Sequence, residues 1–150
     1  KWSRTGPNYG EFMPRAFIQQ RRLHWGEADP AGTIYAPQAI DFAIQAIEAV
    51  WIEATGLSFQ ASHARFGKAA PWVHTSCEFE RPLRAGDPFS LGITLEKMGG
   101  SSFVWRGEAT RPDGVVLFRL KLVSVLIDLA TDKACAIPDD MRSSLMPYLA

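Results

Sequence analysis

The chain has 150 residues, room for one domain with a substantial core and too few for two. Apolar residues make up 47% and charged residues 21%, the balance of an ordinary globular protein rather than a disordered or fibrous one. Sixteen basic residues cancel sixteen acidic ones, which removes the basic excess of proteins that grip nucleic acid by its phosphates.

No apolar run reaches the roughly 18 residues of a membrane span, and the first residues lack the apolar stretch of a signal peptide. A cytoplasmic protein with no nucleic-acid or membrane partner is the resulting expectation. Cys77 and Cys135 sit far apart and outside any CxxC spacing, so they read as reduced thiols rather than a disulfide or a zinc site. Three scattered histidines without ligand spacing argue against a bound metal.

Residues 1–15 carry Gly6, Pro7, Gly10 and Pro14 without periodicity and read as an irregular arm ahead of a domain spanning 16–150. A first strand is expected over Ala16–Trp25. A loop marked by Gly26, Pro30, Gly32 and Pro37 follows. Pro37 suits the first turn of a helix and Gly56 a C-terminal cap, which predicts one long helix from Pro37 to Thr55.

In that helix Gln38, Asp41, Gln45 and Glu48 form one narrow polar stripe. Ile40, Phe42, Ile44, Ile47, Val50, Trp51 and Ile52 occupy most of the remaining circumference. Such a helix expects burial by something broad. Four alternating segments supply it: 72–81, 88–97, 101–110 and 115–129, with apolar faces such as Val73, Thr75, Cys77 and Phe79, or Phe89, Leu91, Ile93 and Leu95. Their connections are short and rich in Gly, Pro and Asp, as hairpin turns are. A last short helix is expected near Pro138, with Asp139 and Asp140 in its first turn. The class is α+β, an antiparallel sheet wrapped around one long central helix.

Chemistry is expected in the polar loop His24–Gly32, just ahead of a helix N-terminus. Free backbone N–H groups and the positive end of the dipole stabilise a developing oxyanion there. A carboxylate beside them acts as nucleophile or as general base on water. Asp-Pro-x-Gly is also ordinary turn chemistry, so on local sequence alone Asp29 reads as a turn or cap residue first.

The run Asp29-Pro30-Ala31-Gly32, followed by Tyr35 and Pro37, resembles the active-site segment of the hot-dog 4-hydroxybenzoyl-CoA thioesterase family. The Phe-x-Arg-Pro-x-Arg-x-Gly-Asp run from Phe79 to Asp87 is common in that family, and the order of motifs extends the resemblance over roughly 16–149. The resemblance implies a hot-dog thioesterase that releases a free acid and coenzyme A, with Asp29 as its catalytic carboxylate. It implies an oxyanion site at the backbone N–H of Tyr35 or Ala36, and no cofactor beyond the coenzyme A of the substrate. Gly32, Tyr35, Pro37 and His63 become substrate-binding candidates, and Arg81, Arg84 and Arg106 candidates for the coenzyme's phosphates. It also implies a homodimer with a composite site, commonly assembled into a homotetramer. Ala36 separates the aromatic residue from its proline, which bears on acyl specificity rather than on the reaction.

Plainer roles stand beside these. His24 is expected on the first strand and His74 on a strand face. Glu48 and Glu53 are expected at solvated or interface helix positions, Arg81, Arg84, Arg106 and Arg111 as surface charge, and Trp72 and Trp105 as core or interface aromatics. Two rival functions remain at this point: a hot-dog hydratase pairing His24 with Glu48, and an acyl-CoA-binding protein without turnover.

Overall fold

The computed structural model describes residues 2–3 and 16–150. In chain order these form β1 (Trp2–Ser3), β2 (Phe17–Arg22), a 3-10 turn (Trp25–Glu27), α1 (Ala36–Thr55), α2 (Phe59–Phe66), β3 (Lys68–Ala69) and β4 (Trp72–Phe79). They continue with β5 (Pro88–Met98), β6 (Ser102–Thr110), β7 (Val116–Val125), β8 (Ile127–Asp128), β9 (Lys133–Ala134), α3 (Asp139–Leu145) and a closing 3-10 turn (Met146–Tyr148). Of the expected arm, only Trp2–Ser3 is described, as the strand β1; the rest lies outside the described residues.

Six strands make one antiparallel sheet in the order β1-β2-β5-β6-β7-β4, and β3, β8 and β9 form a small second sheet. The alternation read along the chain sets the faces. Phe89, Leu91, Ile93 and Leu95 of β5 are buried, as are Phe103, Trp105 and Ala109 of β6 and Phe118, Leu120 and Leu122 of β7. A bulge where Ala109 pairs Phe118 but Thr110 pairs Val116 puts Leu117 out of alternation, and it too is buried.

α1 lies across this apolar face and buries Ala39, Phe42, Ala43, Ala46, Ile47, Val50 and Trp51. Gly107 on β6 carries no side chain because Leu120 and Ile93 fill its place; a Cβ there would lie 2.9 Å from Leu120 Cδ1. The helix begins one residue before the expected Pro37 and ends at Thr55, with Gly56 at φ 74° in the left-handed region that favours glycine.

The sheet packs on one side of α1 and leaves the helix half-covered, with Ile40 and Ile44 half-buried and Ile52 exposed. Two expectations change. The first strand stops at Arg22, and His24 caps the 3-10 turn instead of lying on a strand, since Glu27 Oε1 accepts the His24 N–H at 2.7 Å. In β4 the apolar face is only partly buried, with Cys77 half-buried. Thr75, Cys77 and Phe79 pair with the buried Leu122, Leu120 and Phe118, yet Phe79 is 46% exposed, and Val73, beside a bulge, is 61% exposed. β4 is the last strand of the sheet, and α1 leaves much of it uncovered.

Candidate active site

The Asp29 loop is a short hairpin. Ala28 bridges Ile34, and the Asp29 N–H donates to Thr33 O at 2.8 Å. Within it the Gly32 N–H donates to Asp29 O at 2.9 Å, with Pro30 in the second place of the turn and Gly32 at φ 80°. Asp29 Oδ1 accepts the Ala31 N–H at 2.9 Å and, at 3.4 Å, the Thr33 N–H. This is the turn role that local sequence suggests. It uses one carboxylate oxygen, and Oδ2 makes no hydrogen bond with the described residues.

The second motif holds the first in place. The Ile34 N–H donates to Leu83 O at 2.8 Å, the Ala85 N–H donates to Gly32 O at 3.1 Å, and Thr33 bridges Arg84. Leu23 is tied to the same segment from the other side, through Gly86 and Asp87. The fully buried Leu23 and Leu83 anchor both ends of this arrangement. The Phe79–Asp87 run is therefore the frame of the Asp29 loop, which gives a physical reason for the two motifs to travel together.

At the helix N-terminus the two expected amide donors differ. The Tyr35 N–H is taken by Glu27 O at 2.9 Å, so it is not free, contrary to the expectation for that residue. Pro37 has no N–H, and the Gln38 N–H turns back to Tyr35 O at 2.8 Å. The Ala36 N–H makes no hydrogen bond with the described residues, which leaves it as the open donor of the first turn. Ala36 lines a cleft of about 280 Å³ together with Thr33, Ile34, Phe79, Arg81 and Leu83. Tyr35 itself is 56% exposed and does not line it.

The other candidates separate into groups. Gly32 and Pro37 belong to the same loop and first turn; Arg81 lines the cleft and Arg84 borders it. Arg106 lies elsewhere. It alternates with the buried Trp105 onto the outer face of the sheet and pairs there with Glu96, which holds the Glu96 carboxyl below its ordinary pKa. Arg119 bridges Glu80 and Glu108 on that same face, and Arg111 pairs with Asp113 at 3.3 Å.

His63 lies in the segment between α1 and β3. It sits on α2, whose start is marked by the Ser58 hydroxyl accepting the Ala61 N–H at 3.0 Å and whose end is Gly67 at φ 63°. Those two caps were the available signal. Glu48 is a contact position between helices: Oε2 accepts the Phe59 N–H at 3.1 Å and fixes the first turn of α2. His24 and Glu48 thus hold two different turns and are not brought together.

Two groups escaped the sequence reading. Arg21 lies 4.3 Å over the Phe42 ring and donates to Gln19 and Gln45 at 2.6 and 2.7 Å. Burial pulls its guanidinium below the ordinary pKa, opposed by the Glu27 and Asp41 carboxylates. The second group is a cavity of about 350 Å³ beside the C-terminal half of α1. Its walls include Trp51, Phe59, His63, Trp72, Trp105 and Ser124. It begins at Ile47, eleven residues after Ala36 and so about 16 Å along the helix. Among the described residues no three His, Cys, Asp or Glu side chains group as metal ligands, and no helix is long and apolar enough to cross a membrane.

Residues 23–145 match the model of the thioesterase-like superfamily, a span that takes in both motifs, α1 and the main sheet strands β4–β7. The chain belongs to that superfamily. This thioesterase-like chain is 25% identical over 130 residues to a 1,4-dihydroxy-2-naphthoyl-CoA hydrolase of Synechocystis, covering 86% of this chain and 94% of the relative. It is also 25% identical over 126 residues to the hydrolase of that name from Nostoc punctiforme, covering 84% of each. Among solved structures, the Synechocystis 1,4-dihydroxy-2-naphthoyl-CoA thioesterase superposes with a TM-score of 0.79 at 24% identity, covering 87% of this chain and 96% of the other. A Staphylococcus aureus protein in complex with CoA superposes with a TM-score of 0.83 at 12% identity, covering 93% and 87%. The fold is the hot-dog fold, and the expectation of a thioesterase agrees with these relatives. The resemblance drawn from the motifs is narrower: it names 4-hydroxybenzoyl-CoA, whereas these relatives are named for a dihydroxynaphthoyl thioester.

Proposed function

We propose that the protein hydrolyses an acyl- or aroyl-CoA thioester to the free acid and coenzyme A, with Asp29 as the catalytic carboxylate. One observation carries this reading: an open backbone donor, Ala36 N–H, at the mouth of a 20-residue helix, lining the cleft beside a loop whose aspartate keeps one oxygen unbonded. The thioester oxygen accepts from Ala36 as charge builds on it, helped by the positive end of the helix dipole. Asp29 Oδ2 attacks the carbonyl carbon to form a mixed anhydride that water then cleaves, or it draws a proton from the attacking water. In either route the C–S bond breaks and the departing sulfur takes a proton. Arg81 and Arg84, at the rim of the cleft, are the guanidinium groups available to the coenzyme's phosphates.

The test is thiol release from a panel running from benzoyl- to palmitoyl-CoA, with wild type and Asp29→Asn. The variant keeps the shape of the side chain, and a loss of about a hundredfold or more is expected. Turnover that survives the substitution would refute the role of Asp29.

The chain is further proposed to act as a homodimer joined through β4. Among the described residues β4 pairs only with β7, and its other edge carries the exposed Val73 and Phe79. Antiparallel pairing with a second copy, centred on Thr75 and Ser76, covers both and satisfies the free edge. The same dimer is the building block of the expected homotetramer. Sedimentation of a monomer at micromolar concentration would exclude it.

A further inference from the structure

The Asp29 loop and the approach to α1 are two arms of one ladder. The Asp29 N–H donates to Thr33 O at 2.8 Å, Ala28 bridges Ile34, and the Tyr35 N–H donates to Glu27 O at 2.9 Å. All three pairs, Asp29 with Thr33, Ala28 with Ile34 and Glu27 with Tyr35, share one antiparallel register. Asp29 ends the first arm, and Ala36 is the next residue beyond the second. The three rungs therefore set how far the Asp29 carboxylate stands from the open Ala36 amide.

The outer rung is the vulnerable one. Its acceptor, Glu27 O, belongs to the 3-10 turn Trp25–Glu27, none of whose residues is buried. Trp25 is 88% exposed, so packing does not hold this turn in place. Its backbone bonds run from the Glu27 N–H to His24 O at 3.0 Å and from the Ala28 N–H to Trp25 O at 3.3 Å. Bonds of the 3-10 type are poorly aligned. The short contact comes from a side chain: Glu27 Oε1 accepts the His24 N–H at 2.7 Å, and a charged acceptor makes that bond a strong one. Arg21, tied to α1 through Gln45 at 2.7 Å and the Phe42 ring, attracts the same carboxylate toward the body of the chain.

Resting on the reading of Asp29 and Ala36 given above, we propose that Glu27 is a positioning residue for thioester hydrolysis. Its carboxylate closes the turn whose last carbonyl holds the Tyr35 amide, and so keeps Asp29 and Ala36 at the separation the thioester carbonyl requires. It touches no reacting atom and moves no proton. Misalignment of two groups that act together costs turnover more than substrate binding.

The test is kcat and KM on the best-hydrolysed member of the benzoyl- to palmitoyl-CoA panel. Glu27→Ala removes the acceptor and should lower kcat about tenfold with KM within about twofold. Glu27→Gln keeps an acceptor for the His24 N–H and should hold kcat within about threefold of wild type. His24→Pro deletes the donor and leaves Glu27 intact. At φ −78° the position suits proline, and the fall in kcat should match that of Glu27→Ala. This variant carries the test if Glu27→Ala fails to fold.

Unchanged kcat in Glu27→Ala or His24→Pro overturns the inference, as does a loss carried by KM alone. A collapse of Glu27→Gln to the level of Glu27→Ala overturns it too, because the charge and not the hydrogen bond would then be at work. Asp29→Asn separates this inference from the reading beneath it. Turnover lost in Asp29→Asn but untouched in Glu27→Ala sinks the Glu27 assignment alone. Turnover that survives Asp29→Asn but falls in Glu27→Ala sinks the catalytic role of Asp29 and leaves Glu27 as a positioning residue for Ala36.

Discussion

Ser62→Ala removes the acceptor of the Trp51 indole N–H, a hydrogen bond of 2.8 Å that ties α2 to the C-terminal half of α1. Both partners are buried, Trp51 at 5% exposed and Ser62 at 4%. The indole N–H left behind has no water to turn to, so the cost approaches that of an unsatisfied buried donor, about 2 kcal/mol. For a domain of this length that is a fall in Tm of about 4–8 °C. Thermal or urea unfolding measures it, and a double-mutant cycle with Trp51→Phe isolates the bond. Once the donor is gone, deleting the acceptor should cost less, with a coupling of about 1 kcal/mol. Strict additivity of the two substitutions would refute the argument that this bond fixes α2.

Ala36→Pro deletes the open amide at the helix N-terminus while proline suits that position, so turnover should fall about a hundredfold with little change in unfolding; undiminished turnover would remove Ala36 from the oxyanion site. Glu48→Gln keeps an acceptor for the Phe59 N–H and should leave both stability and hydrolysis near wild type, whereas Glu48→Ala should cost about 1 kcal/mol; a large loss of turnover in Glu48→Gln would revive a catalytic role for this helix residue. Burial, reinforced by the Glu78 carboxylate, pushes the Cys77 thiol up from 9.0 to about 11. Its folded pKa exceeds its unfolded one, so the stability contributed by the neutral thiol is complete below pH 9 and is lost as pH rises through 11. Urea unfolding should therefore weaken less between pH 9 and 11 in Cys77→Ser than in wild type, and equal slopes would contradict this.

Much of this molecule was legible before any coordinates. Period-two alternation placed Phe89–Leu95, Phe103–Trp105 and Phe118–Leu122 on one face, and Gly56 ended α1, because both patterns depend on local backbone geometry that the residues themselves impose. The Asp29 loop was legible for the same reason: Pro30 and Gly32 specify its turn wherever the chain goes. What the neighbours decide was not legible. Whether the Tyr35 or the Ala36 amide stays open depends on the Glu27 carbonyl, which only the packing of the 3-10 turn brings within reach. Arg106 alternates like any strand residue, and its place on the outer face beside Glu96 follows from sheet register. The burial of β4 depends on its place at the sheet edge, and strand order is set by long-range pairing that no local pattern encodes. The aromatic cavity draws its walls from three helices and five strands far apart in sequence, so only the tertiary structure could assemble it.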